Sequence, residues 1–229
     1  MSEGRQAHLP FADRIQAGRL LGKALRDYAG RSDVIVLALP RGGVPVAFEI
    51  VKAIRAPLDL LLVRKLGTPG QEELAMGAIA AGGMQVLNPD VVAGCGISEA
   101  GIEAVARRER AELERRNRAY RGDRPPPQVE KRCAILVDDG LATGATMRAA
   151  VKALRQRHPA RIVVAVPVAP RETIDALEAE ADDVVCLATP APFMAIGCWY
   201  RDFPQTSDDE VRELLKQAAE THDAGETSR

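Results

Sequence analysis

Five short, nearly uncharged apolar runs constrain this chain most: Val34–Leu39, Leu58–Val63, Cys133–Val137, Arg161–Val166 and Val184–Leu187. None alternates apolar with polar residues, as a strand with one wet face would, so each suits a strand buried on both sides. Helical patterns interleave with them over Phe11–Tyr28, Val46–Ile54, Ser98–Tyr120, the segment from the turn after Val137 to about Arg157, and Glu172–Glu180. Strands alternating with helices imply an α/β fold with a mainly parallel central sheet of about five strands and helices on both faces. Crossovers in such a sheet are right-handed. Ligands bind outside the carboxyl ends of its strands, which directs attention to the residues after Leu39, Val63, Val137 and Val166.

At 229 residues the chain reads as a single domain, 1–229, with appendages. The stretch 98–124 reads as a charged helical insertion, closed by RGDRPPPQ, whose three successive prolines cannot continue a helix. The glycine-rich stretch 66–83 begins as a mobile loop, with Leu74–Ala80 extended and Gln85–Leu87 as its pairing partner. Residues 189–206 form a candidate hood. Ser207 with Glu210 makes a capping box for a helix over Asp208–Ala219, and 222–229 is expected to fray.

A formal net charge of −1 offers nucleic acid no global polycation. The longest apolar stretches fall far short of the ~18 residues of a membrane span, and the first residues show no basic stretch followed by an apolar one, so a cytoplasmic protein is expected. Cys95, Cys133, Cys186 and Cys198 are widely spaced, with no CxxC pair and no histidines near them, which argues against zinc and against a disulfide framework. Three scattered histidines do not suggest a His-based triad, and neither GxSxG nor GxxxxGK[ST] occurs.

The richest segment is Ile135–Met147, ILVDDGLATGATM. An apolar strand ends in two adjacent carboxylates, Asp138 and Asp139, and a turn of small residues then opens a helix. The unpaired N–H groups and dipole at that helix start favour a phosphate. Gly140, Ala142, Thr143, Gly144, Ala145 and Thr146 form this candidate cradle, with two hydroxyls. Two carboxylates beside an anion site call for a partner that is not itself an anion, such as ribose hydroxyls or hydrated Mg²⁺. At the end of the first strand, Arg41 with Gly42 and Gly43 offers a cation and two N–H groups suited to a diphosphate. Arg64 and Lys65 follow the second strand.

VDDGLATGAT resembles the phosphoribosyl pyrophosphate signature of the type I phosphoribosyltransferases. The DR-x-x-AG run near residue 14, ALPRGGVPVA, VRKLG and the late WY-x-DF extend the likeness over nearly the whole chain, toward a bacterial group described as predicted phosphoribosyltransferases. The resemblance implies that Asp138 and Asp139 hold the ribose 2- and 3-hydroxyls and that residues 142–146 hold the 5-phosphate. It implies that Arg41, Gly42, Gly43, Arg64 and Lys65 grip the leaving pyrophosphate. Mg²⁺ would come with the ligand, with Asp138 and Asp139 as candidate contacts. The reaction implied is transfer of the phosphoribosyl group to a nitrogenous base, with Asp138, Asp139, Arg41 and Lys65 carrying catalysis.

At one position the chain departs from many hypoxanthine/guanine-type members, which carry an acid where this chain has Ala142. A 6-oxopurine acceptor is accordingly disfavoured. Trp199 and Tyr200 are candidate stacking faces for the base, with packing of the last helix as the competing reading. The arginine-rich helix reads as a solvated face laced with i,i+4 pairs, with a homodimer or RNA-binding face as the other possibility. The main rival function is a non-catalytic sensor of phosphoribosyl pyrophosphate or a nucleotide, since a fold and a ligand site do not prove turnover.

Overall fold

The computed structural model describes residues 8–80, 83–122 and 124–226. In chain order the elements are α1 (Arg14–Ala24), β1 (Val34–Ala38), α2 (Gly43–Ile54), β2 (Leu58–Leu60), β3 (Val63–Thr68), β4 (Gln71–Ala80), β5 (Met84–Leu87), α3 (Pro89–Gly94) and α4 (Glu99–Arg121). They continue with β6 (Cys133–Val137), α5 (Ala145–Arg155), β7 (Arg161–Val168), α6 (Arg171–Glu178), β8 (Asp183–Ala188) and α7 (Asp208–Glu226).

All five apolar runs enter one parallel sheet, ordered β2-β1-β6-β7-β8. The two fully buried strands β1 and β6 lie side by side, with Ala38 opposite Val137. On one face Leu21 of α1 and Leu25 just after it, Ile50 and Ile54 of α2, and Val211 and Leu215 of α7 pack together. On the other, Met147, Val151 and Leu154 of α5 join Ile174 and Leu177 of α6. Burial on both sides explains why these strands carry almost no charge. In this strand order the connections leave β1 and β6 in opposite directions, which opens a crevice at their carboxyl ends.

The structure corrects several expectations. The stretch 66–83 is not a mobile loop among its described residues: β3 and β4 form an antiparallel hairpin turning at Pro69-Gly70, and β5 completes a three-stranded sheet. Val63 starts that sheet rather than ending β2. Nor is 98–124 a solvated insertion. Leu66, Met76 and Ile79 of the small sheet are fully buried against Ile102 and Ala106 of α4, so the helix supplies half of a second core. The apolar stripe of α4 is sparse, which is why its arginines dominate the sequence. One of them, Arg121, is buried and donates to Asp59 at 2.6 Å and to the Leu60 carbonyl at 2.5 Å, tying α4 to β2. Helix α1 starts at Arg14, because Asp13 caps it by accepting from the Gln16 amide at 2.7 Å; Phe11 instead bridges to Tyr200. Helix α7 continues through Glu226, so most of the stretch expected to fray is helical, while 227–229 lie outside the described residues. Here Val211, Leu215 and Ala218 anchor the helix and its remaining turns propagate from that docked stripe.

Helices α1 and α2 approach closely through glycine. A Cβ on Gly18 would lie 2.6 Å from the Val46 carbonyl oxygen and 2.8 Å from Glu49 Cβ. Alanine is favoured over glycine inside a helix by about 1 kcal/mol, but here the obstacle is backbone, and overpacking typically costs ~1–3 kcal/mol. Gly18→Ala is therefore expected to destabilise the fold despite its better helix propensity. A denaturant melt showing equal or greater stability would refute this account of the contact.

Candidate functional site

The crevice between β1 and β6 gathers the two strand-end loops. After β1 the chain turns through Pro40 and Arg41 into α2, with the Leu39 amide donating to the Val137 carbonyl at 2.8 Å and the Gly43 amide to the Leu39 carbonyl at 3.1 Å. The loops then touch through glycine. A Cβ on Gly42 would fall 2.0 Å from Asp139 Oδ2, and one on Gly43 2.6 Å from the Val137 carbonyl oxygen. No side chain fits at Gly42 without displacing the carboxylate, so the glycines serve close approach between the two loops.

Asp139 is 8% exposed and held from three directions. Its Oδ2 accepts from Arg14 Nε at 2.8 Å, its amide donates to Asp138 Oδ1 at 2.9 Å, and its carbonyl accepts from the Tyr200 hydroxyl at 2.5 Å. Arg14 is itself fixed: its guanidinium sits 3.8 Å from the Phe203 ring centroid and donates to the Pro204 carbonyl at 2.7 Å. Burial pushes the Asp139 carboxyl above the ordinary carboxylate range, opposed by the Arg14 charge. Asp138 goes well above it, through burial and then the charge of Asp139. The crevice thus holds one carboxylate matched to a buried cation and a second that resists ionisation.

The turn that follows is shaped as its small residues imply. Gly144 has φ +69°, a left-handed conformation that L side chains rarely adopt, and a Cβ there would meet Thr173 Cγ2 at 2.6 Å. Thr173 Oγ1 donates to the Ala142 carbonyl at 2.7 Å, bracing the turn from α6. Ala142, Thr143 and Thr146 are exposed at the start of α5, where first-turn amides have no intrahelical acceptor.

The basic residues fall out differently. Arg41 lies 3.6 Å from Asp208 at the start of α7, and Asp208 also accepts from the Tyr120 hydroxyl at 2.7 Å. Arg64 and Lys65 are consecutive on β3 and so point to opposite faces. Arg64 donates to Glu109 of α4 at 2.8 Å. Tyr200 is not a stacking platform: it is 6% exposed, with its ring 4.8 Å from Phe203 and 5.5 Å from Phe11. Trp199 is half-buried, 6.0 Å from Phe193, with no partner for its enclosed Nε1.

Sequence reasoning missed Arg14, Thr173 and Asp208. Arg14 lies in the DR-x-x-AG run, but nothing local points to a carboxylate 125 residues away. Among the described residues, no group of three or more His, Cys, Asp or Glu side chains is placed to hold a metal. Two adjacent carboxylates, one already paired with Arg14, fit an ion that brings phosphate oxygens and water as its other ligands, and not an all-protein cage.

The chain belongs to the phosphoribosyl transferase domain family, whose model matches residues 12–198. It is 50% identical over 208 residues to proteins named "Putative phosphoribosyl transferase" in two strains of Mycobacterium tuberculosis, CDC 1551 and H37Rv. That match covers 91% of this chain and 47% of those proteins, so the chain spans about half the length of these curated relatives. Its fold is similar to the crystal structure of TT1426 from Thermus thermophilus, with TM-score 0.84 and 42% identity over 91% of this chain and 99% of the other. Among the described residues no helix is long and apolar enough to cross a membrane.

The acid pair makes a testable demand on stability. With carboxyl pKa values raised on folding, the native state binds protons more tightly than the unfolded chain. The pair's contribution to stability is then fully present below the ordinary carboxylate value of about 3.9 and is lost as pH rises through the raised native value. Asp138→Asn keeps an oxygen for the Asp139 amide and removes the buried charge. It is expected to raise stability at pH 7 by on the order of 1 kcal/mol, with the gain over wild type shrinking toward pH 4. Melting curves across that range showing no gain at neutral pH would contradict the placement of Asp138.

Proposed function

We propose that this chain transfers the phosphoribosyl group of phosphoribosyl pyrophosphate to a nitrogenous base, releasing pyrophosphate. The observation that carries the reading is the meeting of Gly42 and Gly43 with Asp138 and Asp139 beside the start of α5, which brings the loop after β1, the acid pair and the small-residue turn together at one crevice. In this reading residues 142–146 take the 5-phosphate through backbone N–H groups and the hydroxyls of Thr143 and Thr146. Asp139, paired with Arg14, and Asp138 accept from the ribose hydroxyls and aim C1 at the acceptor. Arg41 and Lys65 meet the charge that develops on the departing diphosphate. Mg²⁺ bound with the ligand would neutralise part of that charge, and Asp138 and Asp139 are the residues that would hold it. In this reading the β3–β4 hairpin shields the sugar from water that would hydrolyse it.

For the acceptor, Ala142 replaces an acid that would serve a 6-oxopurine, and Trp199 of the 189–206 segment is the ring proposed to stack on the base. Guanine and hypoxanthine are accordingly expected to be poor acceptors, with adenine, uracil or orotate no worse.

Incubation with phosphoribosyl pyrophosphate, Mg²⁺ and each base in turn, with pyrophosphate measured, tests the reading. Base-dependent release is expected, and Arg41→Ala or Lys65→Ala should lower kcat/KM by on the order of a hundredfold while ribose 5-phosphate still binds. Tight binding of phosphoribosyl pyrophosphate without release against any base would replace the enzyme with a sensor. Efficient use of guanine would remove the inference from Ala142.

A further inference from the structure

We infer that Thr173, on α6, is a positioning residue of the proposed transferase: by holding the Ala142 carbonyl it aims the Thr143 amide at the 5-phosphate of the substrate. The inference rests on the transferase reading of the crevice and adds to it a residue from outside the phosphate-binding turn.

Thr173 is 6% exposed in the first turn of α6. It meets the turn at two points. Its Oγ1 donates to the Ala142 carbonyl at 2.7 Å, and its Cγ2 stands 2.6 Å from where a Cβ on Gly144 would lie. Just before, the Leu141 amide donates to the Val168 carbonyl at 2.9 Å. Both tethers come from one corner, the end of β7 and the start of α6, and they hold the turn at Leu141, Ala142 and Gly144.

The methyl and the hydroxyl of Thr173 do different things. Valine has the same shape as threonine, so the contact over Gly144 calls for the methyl and leaves the oxygen unexplained. That oxygen serves the carbonyl of Ala142, an exposed residue at a turn where water could satisfy the same group. What the bond fixes is direction. A peptide is planar and trans, so the Ala142 carbonyl and the Thr143 N–H point opposite ways. With the carbonyl turned toward α6, the Thr143 amide is directed away from that helix, to the exposed side of the turn. Among the described residues the amides of Thr143 and Gly144 donate to no acceptor. They stand immediately before α5, whose N-terminal field favours an anion. Without the Thr173 donor the peptide is free to rotate its carbonyl to water, and the Thr143 amide swings with it.

The test uses the full chain and two probes that divide the crevice. Ribose 5-phosphate carries the 5-phosphate, whereas pyrophosphate with Mg²⁺ lacks it. Thr173→Val keeps the methyl over Gly144 and removes the donor; Thr173→Ser keeps the donor. By calorimetry, the Kd of ribose 5-phosphate should rise about tenfold in Thr173→Val, equivalent to ~1.4 kcal/mol, and stay close to wild type in Thr173→Ser. Pyrophosphate affinity should be unchanged in both. With a base that is turned over, Thr173→Val should raise KM for phosphoribosyl pyrophosphate and leave kcat near wild type, because the 5-phosphate is held alike in the ground and transition states. Equal losses for the two probes, or a matching loss in Thr173→Ser, would make Thr173 merely structural and overturn the proposal. Ribose 5-phosphate bound equally by wild type and Thr173→Val would also overturn it, while leaving the transferase reading in place. A wild type that does not bind ribose 5-phosphate would instead remove the 5-phosphate turn from that reading, and this role of Thr173 with it.

Discussion

The pairing of Asp139 with Arg14 across the β1–β6 crevice is the constraint on which the site depends. A buried carboxylate is expensive unless a cation and hydrogen bonds accompany it. Here the cation arrives from α1, before the first strand, and is fixed by the Phe203 ring and the Pro204 carbonyl, after the last strand. One ion pair therefore joins segments before the first strand and after the last to the central acid pair. Tyr200 adds a donor to the Asp139 carbonyl, and Gly42 allows the carboxylate to lie flush against the opposite loop. The same contacts bias the pair chemically, because Arg14 offsets part of the burial effect at Asp139 and leaves Asp138 as the reluctant acid.

A second dependency links the small sheet to the large one. Three antiparallel strands have little apolar surface of their own, and a sheet of that size needs a covering element. Helix α4 provides it through Ile102 and Ala106, and its far end is pinned to β2 by Arg121. The hairpin bearing Lys65 is thus mounted on a helix docked to the main sheet. Arg64, its neighbour, is used to hold that helix through Glu109. Adjacent residues on a strand face opposite ways, so a basic pair that reads as one feature in sequence is divided between the two faces of the hairpin.

The main sheet and much of the crevice were legible from sequence because their causes are local. A strand buried on both faces must be apolar along its whole length, and Val34–Ala38 and Cys133–Val137 look like nothing else. A phosphate-binding turn requires small residues and hydroxyls at a helix start, which ATGAT supplies within five positions. Of the small sheet, the extended Leu74–Ala80 and its pairing with Gln85–Leu87 were legible, but Leu66 declares a strand only when the stripe of α4 is known to cover it. Tyr200 departs from its expected role for a related reason: an aromatic is equally suited to core and to ligand, and its neighbours decide which.

By itself, then, the sequence determined a parallel α/β sheet with an acid pair and a small-residue turn opening a helix at its carboxyl edge, because burial and backbone geometry leave their mark on the residues that experience them. The tertiary structure alone decided that Arg14 neutralises Asp139, that Asp208 faces Arg41, that Thr173 braces the turn, and that α4 completes a second core. Each of these is a contact between segments far apart in the chain. Such a contact is fixed by how the elements pack, and no short stretch of sequence records the partner that packing will bring.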